Sequence, residues 1–264
     1  MSDDFQLDEN DVRAIVRLIS ETHVTPGDHL AKKRVLMTGL AGLVSADSWA
    51  WGAAYQMAPD KPSVHLSLIH GGFTDETYAM FTQAYHHPGM SAFHAPFAKE
   101  LTERRCHLTR RKNDFISEAE YKRSDVYQLW LKADIEDVIL SLRPVGEGIF
   151  SIIGLYRNPE SPLFGLRENR IAHMVLSGVP WLHAEGWSEE QTITVRKLTP
   201  RQRMTMDLLI QGYTREQIAS RLEISIHTAN EHVKAVYQYF EVHSQAGLIA
   251  RFRLGNGGDR QNPT

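Results

Sequence analysis

Only one cysteine, Cys106, occurs in the 264 residues, so an internal disulfide framework is excluded and the composition suits a reducing compartment. Long apolar runs are also missing, and no uninterrupted stretch approaches the ~20 residues needed to cross a bilayer. The opening segment MSDDFQLDEN is acidic and carries neither the basic nor the apolar region of a signal peptide. A cytoplasmic protein without membrane partners is therefore expected. The chain has no Gly-x-Ser-x-Gly elbow, no Walker loop, no dinucleotide fingerprint and no His-Glu-x-x-His pair, so neither an enzyme nor a cofactor is expected. A strong basic balance is lacking too, because the net charge is -3. The deficit is uneven. Residues 196–264 carry 10 Lys/Arg against 6 Asp/Glu, while residues 1–195 carry 19 against 26. Positive charge thus collects on the carboxy-terminal part, where a polyanion would be attracted.

That part has the strongest local signals. Thr199-Pro200-Arg201-Gln202 reads as a capping box with proline at the first helical position. The helix carries Met204 and Leu208 and stops at Gly212, a residue suited to a left-handed helix end. Thr214-Arg215-Glu216-Gln217 is a second capping box, opening a two-turn helix with Ile218 and Leu222 on one side and small Ala219 beside them. Ser225 can then cap a third helix, Ser225–Phe240, whose Ala229, Val233, Val236, Tyr237 and Phe240 share one face. His227, Asn230, Glu231, Lys234 and Gln238 are left outward. Two short helices joined by a tight turn, the second longer and polar outside, predict a helix-turn-helix that places its second helix in the major groove of double-stranded DNA. A fourth helix from Ser244 carries Leu248, Ile249 and Phe252 on a stripe, which can either form a homodimer seam or close the domain's own core.

The segment resembles the DNA-binding domain of LuxR-type regulators, found also in NarL-type response regulators. The resemblance is carried by Leu198-Thr199-Pro200-Arg201, Gly212, Ile218-Ala219, Leu222, Ile224-Ser225, Thr228, His232, Val233, Val242, Ala246 and Leu248. It implies base contacts from Asn230, Glu231 and Lys234, phosphate contacts from the hydroxyls of Thr214 and Thr228, and interface positions for Arg215 and His232. Asn suits adenine, Glu the cytosine amino group, and Lys guanine or phosphate. The sequence departs from the family where Asn230, Tyr239 and Gln245 replace basic residues, which predicts weaker sequence-independent attraction and a flatter salt dependence. A homodimer would offer recognition helices to promoter half-sites about one helical turn apart. The competing reading is a non-enzymatic protein-interaction module whose helical domain serves only dimerisation.

The preceding residues give two amphipathic helices, a hairpin from Ser48–Met57 and Ser63–His70, a helix after Thr74, and a second hairpin from Ile135–Leu142 and Gly148–Tyr156. A helix over Leu166–Leu182 follows, kinked or stopped by Pro180. This order predicts an α+β fold, an antiparallel sheet with flanking helices. It resembles GAF/PAS-like sensor domains and, in element order, the ligand domain of LuxR-type proteins. The resulting layout is a sensor domain at 1–183, a linker at 184–197, the helix-turn-helix domain at 198–254 and a disordered tail at 255–264. The sensor lacks the acidic cluster that opens a phosphorylatable receiver domain, so control by aspartyl phosphorylation is not expected.

Trp49, Trp51, Tyr55, Tyr78, Phe81 and Trp130 can line an apolar pocket for a small-molecule effector of unknown identity, or fill an ordinary core. Lactone receptors of the LuxR type carry Trp-x3-Tyr followed by Asp-Pro. Here Phe73 or Tyr78 replaces the tryptophan and His87-Pro88 replaces Asp-Pro, so the carboxylate that would accept a lactone's amide N–H is missing. Trp51 and Tyr55 match the spacing but fall on an expected strand. His65, His70, His86, His87 and His94 could gather a transition metal, yet no helical His-x3-His pair or cysteine cluster joins them, and no metal is assigned. Cys106 has Arg104, Arg105 and His107 for neighbours, a setting that can activate a thiol or be merely a charged surface.

Overall fold

The structure is a computed structural model that describes residues 7–55, 64–85, 87, 89–104, 106–146, 149–184, 198–240 and 242–254. Helices α1 (Glu9–Val24) and α2 (His29–Leu43) come first, started by the carboxylates of Asp8 and Asp28, which accept from the backbone N–H of Asp11 and Ala31. Strands β1 (Ser48–Tyr55) and β2 (Val64–Gly71) follow, then α3 (Asp75–Tyr85) and α4 (Gly89–Arg104). After β3 (Leu108–Arg111) and a single 3-10 turn come α5 (Glu118–Arg123) and α6 (Tyr127–Lys132). The second hairpin is β4 (Asp137–Gly146) with β5 (Ile149–Arg157), followed by α7 (Leu166–Ser177) and α8 (Pro180–Ala184). Pro180 therefore ends one helix and begins another, since its missing N–H does no harm at a first position. The expected linker and tail lie outside the described residues, apart from Ala184, which closes α8.

The five strands form one antiparallel sheet in the order β2-β1-β5-β4-β3. Both faces are covered. Against one face α1, α2, α7 and α8 pack Leu18, Leu36, Leu40, Ile171, Val175 and Leu182 onto Trp49, Trp51, Ile153 and Leu155. Against the other, α3, α4 and α6 pack Phe81, Phe93, Phe97 and Trp130 onto Ala50, Leu140 and Tyr156.

This arrangement corrects the expected pocket. Side chains alternate along a strand, so Trp49 and Trp51 join the first core while Tyr78, Phe81 and Trp130 join the second; the side chain of Tyr55 is outside the described residues. The five described members of the group expected to share one cavity are divided by the sheet. On the second face Tyr85, His94, Trp130 and Tyr156 surround a cavity of about 10 Å³, space for roughly one water. The Trp130 Nε1 and His94 Nε2 atoms are buried without a hydrogen-bond partner, and burial lowers the His94 pKa to about 4. The expected histidine group is dispersed as well: His70 stacks on Tyr78 at 3.6 Å, and His87 Nδ1 accepts the Gly89 N–H at 3.1 Å, starting α4. His86 and the side chain of His65 lie outside the described residues. Among the described residues no three His, Cys, Asp or Glu side chains are grouped to hold a metal.

The first face holds a polar network that the sequence did not announce. The Trp51 indole donates to Ser151 Oγ at 2.8 Å, and Ser151 Oγ lies 2.8 Å from His183 Nδ1. His183 Nε2 must carry the proton, because its partner at 2.8 Å is the Leu176 carbonyl. Nδ1 is thus an acceptor and Ser151 its donor. A second chain runs Arg143 to His107 Nδ1 (3.4 Å), His107 Nε2 to Ser141 Oγ (2.7 Å), Ser141 to Thr109 Oγ1 (3.0 Å) and Thr109 to His173 Nδ1 (3.1 Å). The His107 and His183 rings meet edge to face at 5.1 Å. Burial first, then nearby positive groups, pulls His107 to about 3; burial, followed by Arg143 and Lys33, pulls His183 to about 3 against the pull of its Leu176 bond.

Candidate nucleic-acid interface

The carboxy-terminal helices begin where the capping residues stand. In α9 (Pro200–Ile210) the Thr199 hydroxyl accepts from the Gln202 N–H at 3.3 Å and Gln202 Oε1 accepts the Thr199 N–H at 3.0 Å. Thr214 and Gln217 repeat the exchange at α10 (Arg215–Leu222), with bonds of 3.4 and 2.9 Å. Between these helices Gly212 takes φ +90°, the left-handed conformation that its lack of Cβ permits. Glu223 turns the chain at φ 52°, and Ser225 Oγ accepts the Thr228 N–H at 3.0 Å to start α11 (Ile226–Tyr239). Replacing Ser225 with alanine is expected to lower the stability of this domain by about 1 kcal/mol, read from its far-ultraviolet circular dichroism melt.

Packing fixes which face of α11 is free. Ala229, Val233, Val236 and Phe240 are buried against Met206 and Leu209 of α9 and Ile218, Ala219 and Leu222 of α10. Arg201 ties α9 to the end of α10 by donating to the Leu222 carbonyl at 3.1 Å. His227, Glu231, Lys234 and Gln238 are exposed, and Asn230 and His232 are half-buried. An open groove of about 640 Å³ is lined by Arg215, Asn230, Glu231, Lys234, Tyr237, Gln238, Val242 and His243. Four of the expected contact residues, Arg215, Asn230, Glu231 and Lys234, thus meet on one surface. Thr214 and Thr228 stand at the starts of α10 and α11, outside that lining, and so does His232. The sequence reading missed His243, which the helical period could not reach because it lies beyond α11.

Two expectations change. Gln245, at the start of α12 (Gln245–Leu254), turns inward: its amide donates to the Leu209 carbonyl at 2.8 Å and the Tyr213 carbonyl at 3.1 Å. A neutral side chain that clasps the α9–α10 turn takes no positive charge away from the groove; of the other two departures, Asn230 lines the groove and Tyr239 packs against the core instead. The dimer seam expected through Leu248, Ile249 and Phe252 loses its first member, because Leu248 is fully buried in its own chain. Ile249 is half-buried, and the Phe252 side chain lies outside the described residues.

With its helices placed, the segment can be compared with known proteins. Residues 196–252 match the family described as bacterial regulatory proteins, luxR family. The carboxy-terminal domain is a LuxR-family helix-turn-helix. No curated protein matches the chain. Among solved structures, the VqsR LBD domain from Pseudomonas aeruginosa is 16% identical with a TM-score of 0.45, covering 67% of this chain and 95% of that one. Escherichia coli SdiA is 13% identical with a TM-score of 0.41, covering 93% and 98%. CepR2 from Burkholderia cenocepacia, an N-acylhomoserine-lactone-dependent LuxR-family factor, is 9% identical with a TM-score of 0.44, covering 64% and 93%. The LuxR-family domain lends the α11 ridge its context: a helix buttressed by two others, polar outward, with donors and an acceptor in one groove.

Proposed function

We propose that this LuxR-family protein is a sequence-specific DNA-binding transcription regulator that lays α11 in the major groove of promoter DNA. Asn230, Glu231 and Lys234 would meet base edges; Thr214, Arg215, Thr228 and His232 would hold the flanking backbone. The observation that carries this reading is the exposed polar ridge of α11 beside Arg215, on a helix whose opposite face is sealed by Val233 and Val236. A major groove admits one helix, and side chains of these kinds can read its donor and acceptor pattern. The domain limits are taken as 1–183, 198–254 and a connecting segment, and the active form as a homodimer in the cytoplasm. No helix among the described residues is long and apolar enough to cross a membrane.

In mobility-shift assays on DNA upstream of neighbouring genes, Asn230→Ala and Lys234→Ala should each weaken operator binding by tenfold or more, the loss of roughly 1–3 kcal/mol of base discrimination. Binding indifferent to both changes would sink the assignment of α11.

The amino-terminal domain is the effector receptor in this reading. Its site lies on the second sheet face, where Trp130 Nε1 offers an unpaired donor among Tyr85, His94 and Tyr156. An apolar small molecule with a hydrogen-bond acceptor suits that chemistry. It must open the 10 Å³ cavity to enter, so binding and rearrangement are coupled. Effector molecules found by screening should raise the melting point of the wild type but not of Trp130→Phe.

A further inference from the structure

One side chain of α11 is explained neither by packing nor by helix formation. Ile226, the first residue of the helix, is 44% exposed, and among the described residues of the carboxy-terminal domain it is the sole large apolar side chain left in water. Ile224, two positions earlier, packs against the core in the ordinary way. The first helical position favours proline or an acidic residue, which suit the free N–H groups and the positive end of the dipole there. A β-branched side chain offers neither advantage and is a poorer helix former. The turn does not need it, because Ser225 Oγ accepts the Thr228 N–H at 3.0 Å and lies 2.8 Å from Thr228 Oγ1.

Ile226, Asn230 and Lys234 follow at i, i+4 and i+8, a single row along α11. The latter two line the groove. The row begins at the amino-terminal end, the part of a recognition helix that meets base edges in helix-turn-helix complexes. The apolar group that base edges present in the major groove is the C5-methyl of thymine. Contact between that methyl and an exposed isoleucine takes apolar surface of both partners out of water. Four residues of helix advance about 6 Å, and successive bases lie about 3.4 Å apart. Ile226 would therefore stand over a base pair about two steps from the one that Asn230 reads.

We propose that Ile226 is a specificity-determining residue that packs on the C5-methyl group of a thymine beside the bases read by Asn230 and Lys234. This rests on the reading of α11 as the recognition helix and adds a methyl-sensing position to it.

The test uses the full chain and an operator that it selects from randomised duplex DNA. Each thymine is replaced in turn by deoxyuridine, which lacks the methyl and keeps the same hydrogen-bonding edge. The wild type should lose about fourfold in affinity at one thymine of a half-site, equivalent to about 0.8 kcal/mol. Ile226→Ala should lose the same factor per half-site on the thymine operator and be indifferent to deoxyuridine at that position, so that the changes in protein and DNA do not add. Ile226→Val, which keeps a branched side chain, should retain most of the methyl dependence. If deoxyuridine is tolerated at every thymine, or if Ile226→Ala keeps the wild-type methyl dependence, the proposal fails. The reading of α11 then stands as long as Asn230→Ala and Lys234→Ala still weaken binding to the same operator. If those two variants bind as the wild type does, or if no sequence is selected at all, both fall.

Discussion

Replacing Arg157 with alanine should destabilise the amino-terminal domain by about 4 kcal/mol. Arg157, at the end of β5 and only 5% exposed, donates to four carbonyls: Val44 at 2.6 Å, Ser45 at 3.0 Å, Pro162 at 2.7 Å and Leu163 at 3.2 Å. It also lies 4.2 Å over the Phe164 ring. One side chain thereby joins the end of α2 to the loop before α7. Hydrogen bonds to a charged donor contribute more than neutral ones, and stripping the donor leaves buried carbonyls unsatisfied. Urea unfolding followed by tryptophan fluorescence is the appropriate measurement, since Trp49, Trp51, Trp130, Trp181 and Trp187 all precede the helix-turn-helix. An unchanged midpoint would show that water replaces the guanidinium at no cost. Arg157→Lys should recover only part of the loss, because an ammonium is a point charge and cannot span four carbonyls as the planar fork does.

Acidification should have the other large effect. His107 and His183 have folded pKa values of about 3, against an ordinary value of 6.5. Above pH 6.5 both are neutral whether folded or unfolded, and they contribute nothing to the pH dependence. Below it the unfolded chain takes up protons that the native network refuses, so stability falls as pH drops, and the fall levels off only near pH 3. Between pH 7 and pH 5 each histidine should cost roughly 2 kcal/mol, about 4 kcal/mol for the pair if their effects add. His94, lowered to about 4 by burial, acts in the same direction. Glu118 and Asp114 are held below the usual carboxylate range by Lys112 and Arg111, and they surrender stability in a more acidic window. The histidine loss therefore stands alone only above the carboxylates' ordinary values of 4.5 and 3.8, and the two overlap below them. Tryptophan-monitored unfolding across this range should show the steep loss between pH 6.5 and 5, and the double variant His107→Gln, His183→Gln should flatten it. A wild type equally stable at pH 7 and pH 5 would mean that these rings take up protons in the native state as readily as in the unfolded chain.

The helix-turn-helix was legible because its signals are local. Thr199 with Gln202, Thr214 with Gln217, and Ser225 before an apolar 3.6-residue period each specify a helix start within four residues, and each forms as read. The hairpins were legible for a similar reason, although β4 begins two residues later than Ile135 and extends to Gly146. What escaped depends on distant partners. Leu108–Arg111 becomes an edge strand through pairing with Ile139–Leu142, and its sequence, Leu-Thr-Arg-Arg, shows no apolar alternation. His107, His173 and His183 converge only after α7 and α8 fold back on the sheet. Gln245 looked like a lost positive charge until its two carbonyl partners, 36 and 32 residues earlier, were in view.

The strand order has a consequence for synthesis on the ribosome. β1 lies second in the sheet, and its neighbour on the inner side is β5, so Trp51 waits for Ser151, 100 residues downstream. At elongation speeds of about 5–20 residues per second, that wait lasts roughly 5–20 s. Throughout it an indole-rich ribbon, Ser-Trp-Ala-Trp, is half-finished and open to chaperones or to other nascent chains. The last-made helices have no such delay, since their long-range clasps close over only some 36 residues. Slow codons placed between positions 55 and 149 should therefore endanger yield more than those placed after residue 198.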